Sequence, residues 1–189
     1  MCIRDRAGTY TNAGTISMNS AGSTSAVTEL VISAPNLTLS GGGTLTMSND
    51  VYNYILGAAT ADTLTNLNNT IQGSGNIGDG LMGFVNDGTV LANQTTTLTI
   101  QPSSTGFTNN GTLQVNAGST LDITGSAFIN FNSTTGTLTG GTYDVNGGTL
   151  QFTNANIVTN AADITLAGAT AEIISNTNAN ALALSLIHI

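Results

Sequence analysis

The sequence predicts an all-β chain wound as a right-handed parallel β-helix with about 23 residues per coil, and three observations carry that prediction. The first is composition: 40 % of the residues are apolar but only 6 % are charged. Val, Ile, Leu and Thr come in short bursts between Gly and Asn, which is how strands and turns read. The second is an internal repeat. FVNDGTVLANQTTTLTI (Phe84–Ile100) matches FTNNGTLQVNAGSTLDI (Phe107–Ile123) at an offset of 23, with 8 of 17 positions identical and no gap. The third is alternation inside the unit: in GTLQV or STLDI, Leu and Val point one way and Thr, Gln or Asp the other.

One such strand cannot bury its apolar side alone. Stacking copies lines the apolar residues into a continuous column and leaves Thr, Ser and Asn outside. A period near 23 suits two or three short strands per turn, with Asn and Gly supplying the sharp corners. Seven or eight coils at about 4.8 Å per rung are expected, without caps.

In chain order, TNAGTISMN (Thr11–Asn19) opens the series, matching TNNGTLQVN (Thr108–Asn116) at 5 of 9 positions. VYNYILGAATADTL (Val51–Leu64), rich in Tyr and Ala, reads as a longer loop or a distorted rung. GSGNIGDGLMG (Gly73–Gly83) reads as a Gly-rich corner. After the paired repeats come GTLTGGTYDV (Gly136–Val145), GTLQF (Gly148–Phe152) and AADITLAG (Ala161–Gly168), with the spacing drifting. The competing fold is an antiparallel sandwich, whose domains span roughly 80–100 residues and would not repeat so tightly.

The two tips stand apart. MCIRDR and LSLIHI hold both arginines, the one cysteine and the one histidine. Back-translated as ATGTGTATAAGAGACAG and CTGTCTCTTATACACAT, they are reverse complements, as the two strands of a DNA-library adapter would be. Residues 1–6 and 184–189 are therefore expected to be adapter-derived, leaving 7–183 as an internal, metagenomic fragment of a longer repeat protein. That stretch has nine acidic residues and no Lys, Arg, His, Cys or Trp.

This composition excludes several functions. Binding nucleic acid requires Lys and Arg against phosphate, and residues 7–183 have neither. No apolar run approaches the ~18 residues of a membrane span. Nucleophile–His pairs and thiol sites lack their residues, and no cofactor is expected.

Only carboxylate chemistry stays open. Asp122 in STLDI and Asp144 in GTYDV lie 22 apart at matching strand positions, so stacking on adjacent rungs is expected. At about 5 Å they would suit a glycosidase pair or a calcium site, although solvated surface acids are the simpler reading. GSGNIGDGL (Gly73–Leu81) imitates a calcium-binding nonapeptide but fails its register, with Ile77 where glycine is required. The tripeptide TLT at Thr44, Thr63, Thr97 and Thr137 is too irregular for a paired-threonine ice-binding array. Phe84, Phe107, Phe128, Phe131 and Phe152 are expected to stack in the core rather than form a sugar platform.

TNNGTLQVNAGSTLDI, LTNLNNTIQGSGNIG and GTYDVNGGTLQFTNANIVTNAADITL resemble the β-strand repeats of filamentous-haemagglutinin-like adhesins and autotransporter passengers. The resemblance spans most of Thr9–Ile174. It implies a secreted, non-catalytic shaft at the outer-membrane surface of a Gram-negative-type bacterium, serving cell adhesion. Partners would be host-cell, matrix or glycan surfaces, reached through other parts of the parent protein. Two alternatives stay open: a carbohydrate-active or carbohydrate-binding β-helix domain, and a calcium-dependent adhesive repeat. Open rungs at both ends also predict end-to-end self-association.

Overall fold

The computed structural model describes residues 2–4, 8–22 and 26–182, the first of these segments by its backbone alone. The tips assigned to adapter lie outside the described residues except for the Cys2–Arg4 backbone, which pairs in parallel with Val31–Ser33.

After β1 (Cys2–Arg4) the chain winds through three-strand turns. The first holds β2 (Gly8–Thr11), β3 (Thr15–Met18) and β4 (Thr28–Ser33). The second holds β5 (Leu37–Ser40), β6 (Thr44–Met47) and β7 (Asn53–Gly57). The third holds β8 (Thr63–Asn66), β9 (Thr70–Gly73) and β10 (Gly75–Gly78). The fourth holds β11 (Gly83–Asn86), β12 (Thr89–Ala92) and β13 (Leu98–Ile100), and the fifth β14 (Phe107–Asn109), β15 (Thr112–Val115) and β16 (Thr120–Ile123). The rest comprises β17 (Phe131–Asn132), β18 (Thr137–Asn146), β19 (Thr149–Phe152), β20 (Thr159–Ala167) and β21 (Glu172–Ser175).

These strands stack into three sheets. Sheet I runs β1-β4-β7-β10-β13-β16-β19-β21, sheet II β2-β5-β8-β11-β14, and sheet III β3-β6-β9-β12-β15-β18, where β18 also pairs β17 and β20. Among the described residues all strand pairings are parallel except the short β17–β18 hairpin, and an isolated antiparallel bridge joins Ile174 to Asn180. The chain is a parallel β-solenoid of about six turns.

Within most strands buried and half-exposed residues alternate, as in TLQV (Thr112–Val115), because each strand has one face in the core. The register shift is 23 on all three sheets between the fourth and fifth turns: Leu98↔Leu121, Phe84↔Phe107 and Thr89↔Thr112. Elsewhere it varies, from 19 at Thr70↔Thr89 to 30 at Thr112↔Thr142. The long step holds the β17–β18 hairpin, where Phe131 pairs antiparallel with Leu138. Longer coils explain why about six turns form instead of seven or eight.

Two local expectations change. Val51–Leu64 is no distorted rung: it contains the regular β7, with Asn53, Ile55 and Gly57 buried and Tyr54 turned outward. Tyrosine suits a half-exposed pleat as well as Val does. Gly73–Gly83 is a corner only in part, since β10 occupies its middle and Asp79 and Gly80 make the turn. Its glycines permit close approach. Gly73 holds φ +116°, and a Cβ there would fall onto the Met47 carbonyl oxygen of the rung before.

The core is a set of columns along the axis. On sheet III the inward series is Ile16, Leu45, Ile71, Val90, Leu113, Tyr143 and Ile164. On sheet I it is Leu30, Ile55, Ile77, Ile100, Ile123 and Phe152. The phenylalanines stack inside, as the sequence predicts. Phe84 and Phe107 lie 5.3 Å apart at 9°, Phe107 and Phe128 5.4 Å apart at 16°. Phe152 meets Phe128 and Phe131 edge-on.

Candidate functional site

Asp122 and Asp144 do not meet. Asp122 lies in β16 on sheet I between Thr99 and Gln151, while Asp144 lies in β18 on sheet III between Gln114 and Thr165. The stacking expected from a spacing of 22 fails because the register shift at this step is 29 on sheet I and 30 on sheet III. Among the described residues no three His, Cys, Asp or Glu side chains cluster as metal ligands. The Asp122–Asp144 glycosidase pair thus has no geometric basis, and these two acids do not come together as ligands of one calcium ion.

Burial pushes the Asp122 carboxyl above the usual carboxylate range. A raised folded pKa means that the folded state holds the proton more tightly. Stability is therefore gained as pH falls through that pKa, and a penalty remains at neutral pH. Asp122→Asn is expected to melt higher than wild type at neutral pH, with the difference closing near pH 3, where the wild-type acid is itself neutral. Circular-dichroism melts at both pH values check this, and an equal gap at both would refute it.

The outward faces carry regular columns. Sheet III presents Thr15, Thr44, Thr70, Thr89, Thr112 and Thr142 on consecutive rungs. Beside them run Ser17, Thr46, Gln72, Leu91, Gln114 and Asp144, so hydroxyl pairs occur only on the first two rungs. The TLT tripeptides scatter over the three sheets, in β6, β8, β13 and β18. Sheet I presents Glu29, Tyr54, Asn76, Thr99, Asp122 and Gln151 in register. Burial, followed by the nearby Asp79 carboxylate, raises the Tyr54 phenol above its ordinary value.

The second inward column of sheet II is the feature that sequence reasoning missed. It reads Tyr10, Leu39, Asn66, Asn86 and Asn109. Asn66 Nδ2 donates to Asn86 Oδ1 at 2.9 Å, and Asn86 Nδ2 donates to Asn109 Oδ1 at 2.9 Å. Asn130 extends the ladder: its Oδ1 accepts the Asn109 N–H at 2.7 Å and its Nδ2 donates to the Asn109 carbonyl at 2.8 Å. Asn66, Asn86 and Asn109 are fully buried, so the ladder is internal and holds the corner between sheets II and III. The visible signal is the recurrence of Asn-x-Gly-Thr at Asn12, Asn86, Asn109 and Asn146, of which Asn86 and Asn109 belong to the ladder.

A hollow of about 30 Å³, the room of a single water, opens between Phe128, Phe131, Ser133 and Asn154 beneath the hairpin. It brings no acid together with another titratable side chain. Among the described residues no helix is long and apolar enough to cross a membrane.

Architecture and surface together define the class: a parallel β-solenoid with an aliphatic and phenylalanine core, an asparagine corner and polar outer columns. Comparison with family models, with curated proteins and with solved structures finds no match to this chain.

Proposed function

We propose that this chain is a stretch of non-catalytic shaft from a large exported, adhesin-like bacterial surface protein. The observation that supports this reading most is the column structure of sheets I and III, which continues from the first turn to the last. Core residues repeat rung on rung while the outer faces carry Thr, Ser, Asn and Gln with few charges. Such a rod resists bending because each rung is hydrogen-bonded along its strands to the next. Its role would be mechanical, holding distal binding regions away from the cell toward a host, matrix or glycan surface.

Sequencing outward from this stretch in its source DNA tests the reading. Further rungs of the same kind and a secretion or anchoring domain are expected. A parent carrying catalytic modules on either side would overturn it.

A second reading, carbohydrate binding, draws on the Glu29–Gln151 column of sheet I, where hydrogen-bonding side chains, Tyr54 among them, line successive rungs. A glycan array tests it. Signal lost in Tyr54→Ala would favour this reading over a passive shaft.

A further inference from the structure

In a solenoid whose coils touch only their neighbours, a coil can part from the stack by losing a single interface. The first four turns of this chain depart from that rule. Asn49, in the loop between β6 and β7 of the second turn, reaches the loop between β12 and β13 of the fourth. Its Nδ2 donates to Thr95 Oγ1 at 2.9 Å, and its Oδ1 accepts the Thr96 N–H at 2.9 Å. At the other end of sheet I, the Thr60 carbonyl of the second turn accepts from Ser103 Oγ at 2.7 Å and from Thr105 Oγ1 at 2.9 Å, both of the fourth. Both clasps pass over the third turn.

The third turn leaves them room. Between sheets III and I the second and fourth turns each use five residues, 48–52 and 93–97, whereas the third uses Ser74 alone. Gly73 at φ +116° and Gly75 at φ +121° allow so tight a corner, and Ser74 is wholly buried in it. The flanking loops therefore meet across a recessed edge. A third bond of this kind joins the first turn to the third inside the molecule. Asn12 Nδ2 donates to Asn69 Oδ1 at 3.2 Å. It passes Gly43 of the second turn, where a Cβ would press on that nitrogen.

We propose that these bonds tie turns one to four into one cooperative unit, a stiff node within the rod. Their spans overlap, from one to three and from two to four. No boundary between these turns can open without breaking at least one of them together with the strand ladder. Beyond the fourth turn, side-chain bonds among the described residues link turns only to their neighbours, as Asn109 is linked to Asn130 and Thr149 to Glu172. Local opening in the first four turns therefore removes a block and not a single coil.

The proposal rests on contacts between loops and not on export or adhesion, so it and the shaft reading fail separately. Amide hydrogen exchange of the full chain in dilute urea is the test. In wild type, the amides of β6 and β7 and those of β12 and β13 are expected to be protected to within about threefold, through one shared opening. In the variant Asn49→Ala/Ser103→Ala/Thr105→Val, which loses both clasps, β12 and β13 are expected to exchange roughly tenfold or more faster than β6 and β7. Asn110→Ala is the control. It removes a 2.8 Å bond to Asp87 that is equally exposed but joins neighbouring turns, and it should leave the wild-type ratio unchanged. If the triple variant does not fold, Asn49→Ala alone replaces it, with a divergence of roughly fivefold expected. Separate rates for turns two and four in wild type, a single rate in the folded clasp variant, or the same divergence in Asn110→Ala overturns the proposal.

Discussion

Phe107→Ala is expected to lower stability by about 3–5 kcal/mol, the largest loss among single core substitutions in this chain. Phe107 is wholly buried between Phe84 and Phe128, stacked on both at 5.3 and 5.4 Å. Truncation removes its transfer energy and leaves a cavity that backbone ladders on three sides prevent from collapsing. It also removes two ring pairs, each worth roughly 0.5–1.5 kcal/mol beyond burial. Phe107→Leu keeps most of the volume and should cost only about 1–2 kcal/mol. Phe131→Ala, at the half-buried edge of the hairpin, should cost less than Phe107→Ala. Urea titration followed by circular dichroism measures all three. Equal losses for Phe107→Ala and Phe131→Ala would mean that the stack is not the mechanical centre of the core.

The second large effect is expected in the asparagine ladder. Asn86 accepts from Asn66 and donates to Asn109, with longer contacts from its Nδ2 to the Gly88 and Thr112 carbonyls at 3.3 and 3.2 Å. Asn86→Ala leaves the Asn109 Oδ1 without its donor and strips a partner from Asn66 Nδ2. Orphaned buried groups cost about 1–3 kcal/mol each, so a total of roughly 2–4 kcal/mol follows. Removing the neighbour as well should cost less than the sum, because the second truncation removes the orphan that the first created. A double-mutant cycle on Asn86 and Asn109 should give a coupling on the order of 1 kcal/mol or more. Strict additivity would show that the amides act as separate turn formers and not as a ladder.

Much of the architecture was legible in the sequence, and the reason is local. Among the described residues, Phe84–Ile100 and Phe107–Ile123 occupy the only neighbouring turns in which all three sheets shift by the same 23 residues, so a gapless alignment exposes the coil. The phenylalanine stack followed from that alignment, since Phe84 and Phe107 fall on each other. The pairing of Asp122 with Asp144 did not survive. It assumed the same spacing across a step that contains a hairpin, and a hairpin's length leaves no trace in a strand's pattern. The threonine column of sheet III was hidden for a related reason. Its members are separated along the chain by anything from 19 to 30 residues, and only the backbone pairing brings them into line. GTLQV and GTLQF look like copies of one rung position yet lie on sheets III and I. Any face with one side in the core asks for the same alternation. The buried amides were visible as repeated asparagines but were read as corner residues, because composition alone does not tell an inward amide from a turn.

The uniform shift of 23 between the fourth and fifth turns makes that coil a unit of excision. Cutting out residues 87–109 would join Asn86 to Asn110. Phe84 and Asn86 would then take the places of Phe107 and Asn109, and Thr112 would rest on Thr70 as Thr89 does now. No column would lose its chemical character. Genes built from such exchangeable segments can lengthen or shorten by unequal recombination one coil at a time, so the length of a solenoid of this kind can become an inherited variable.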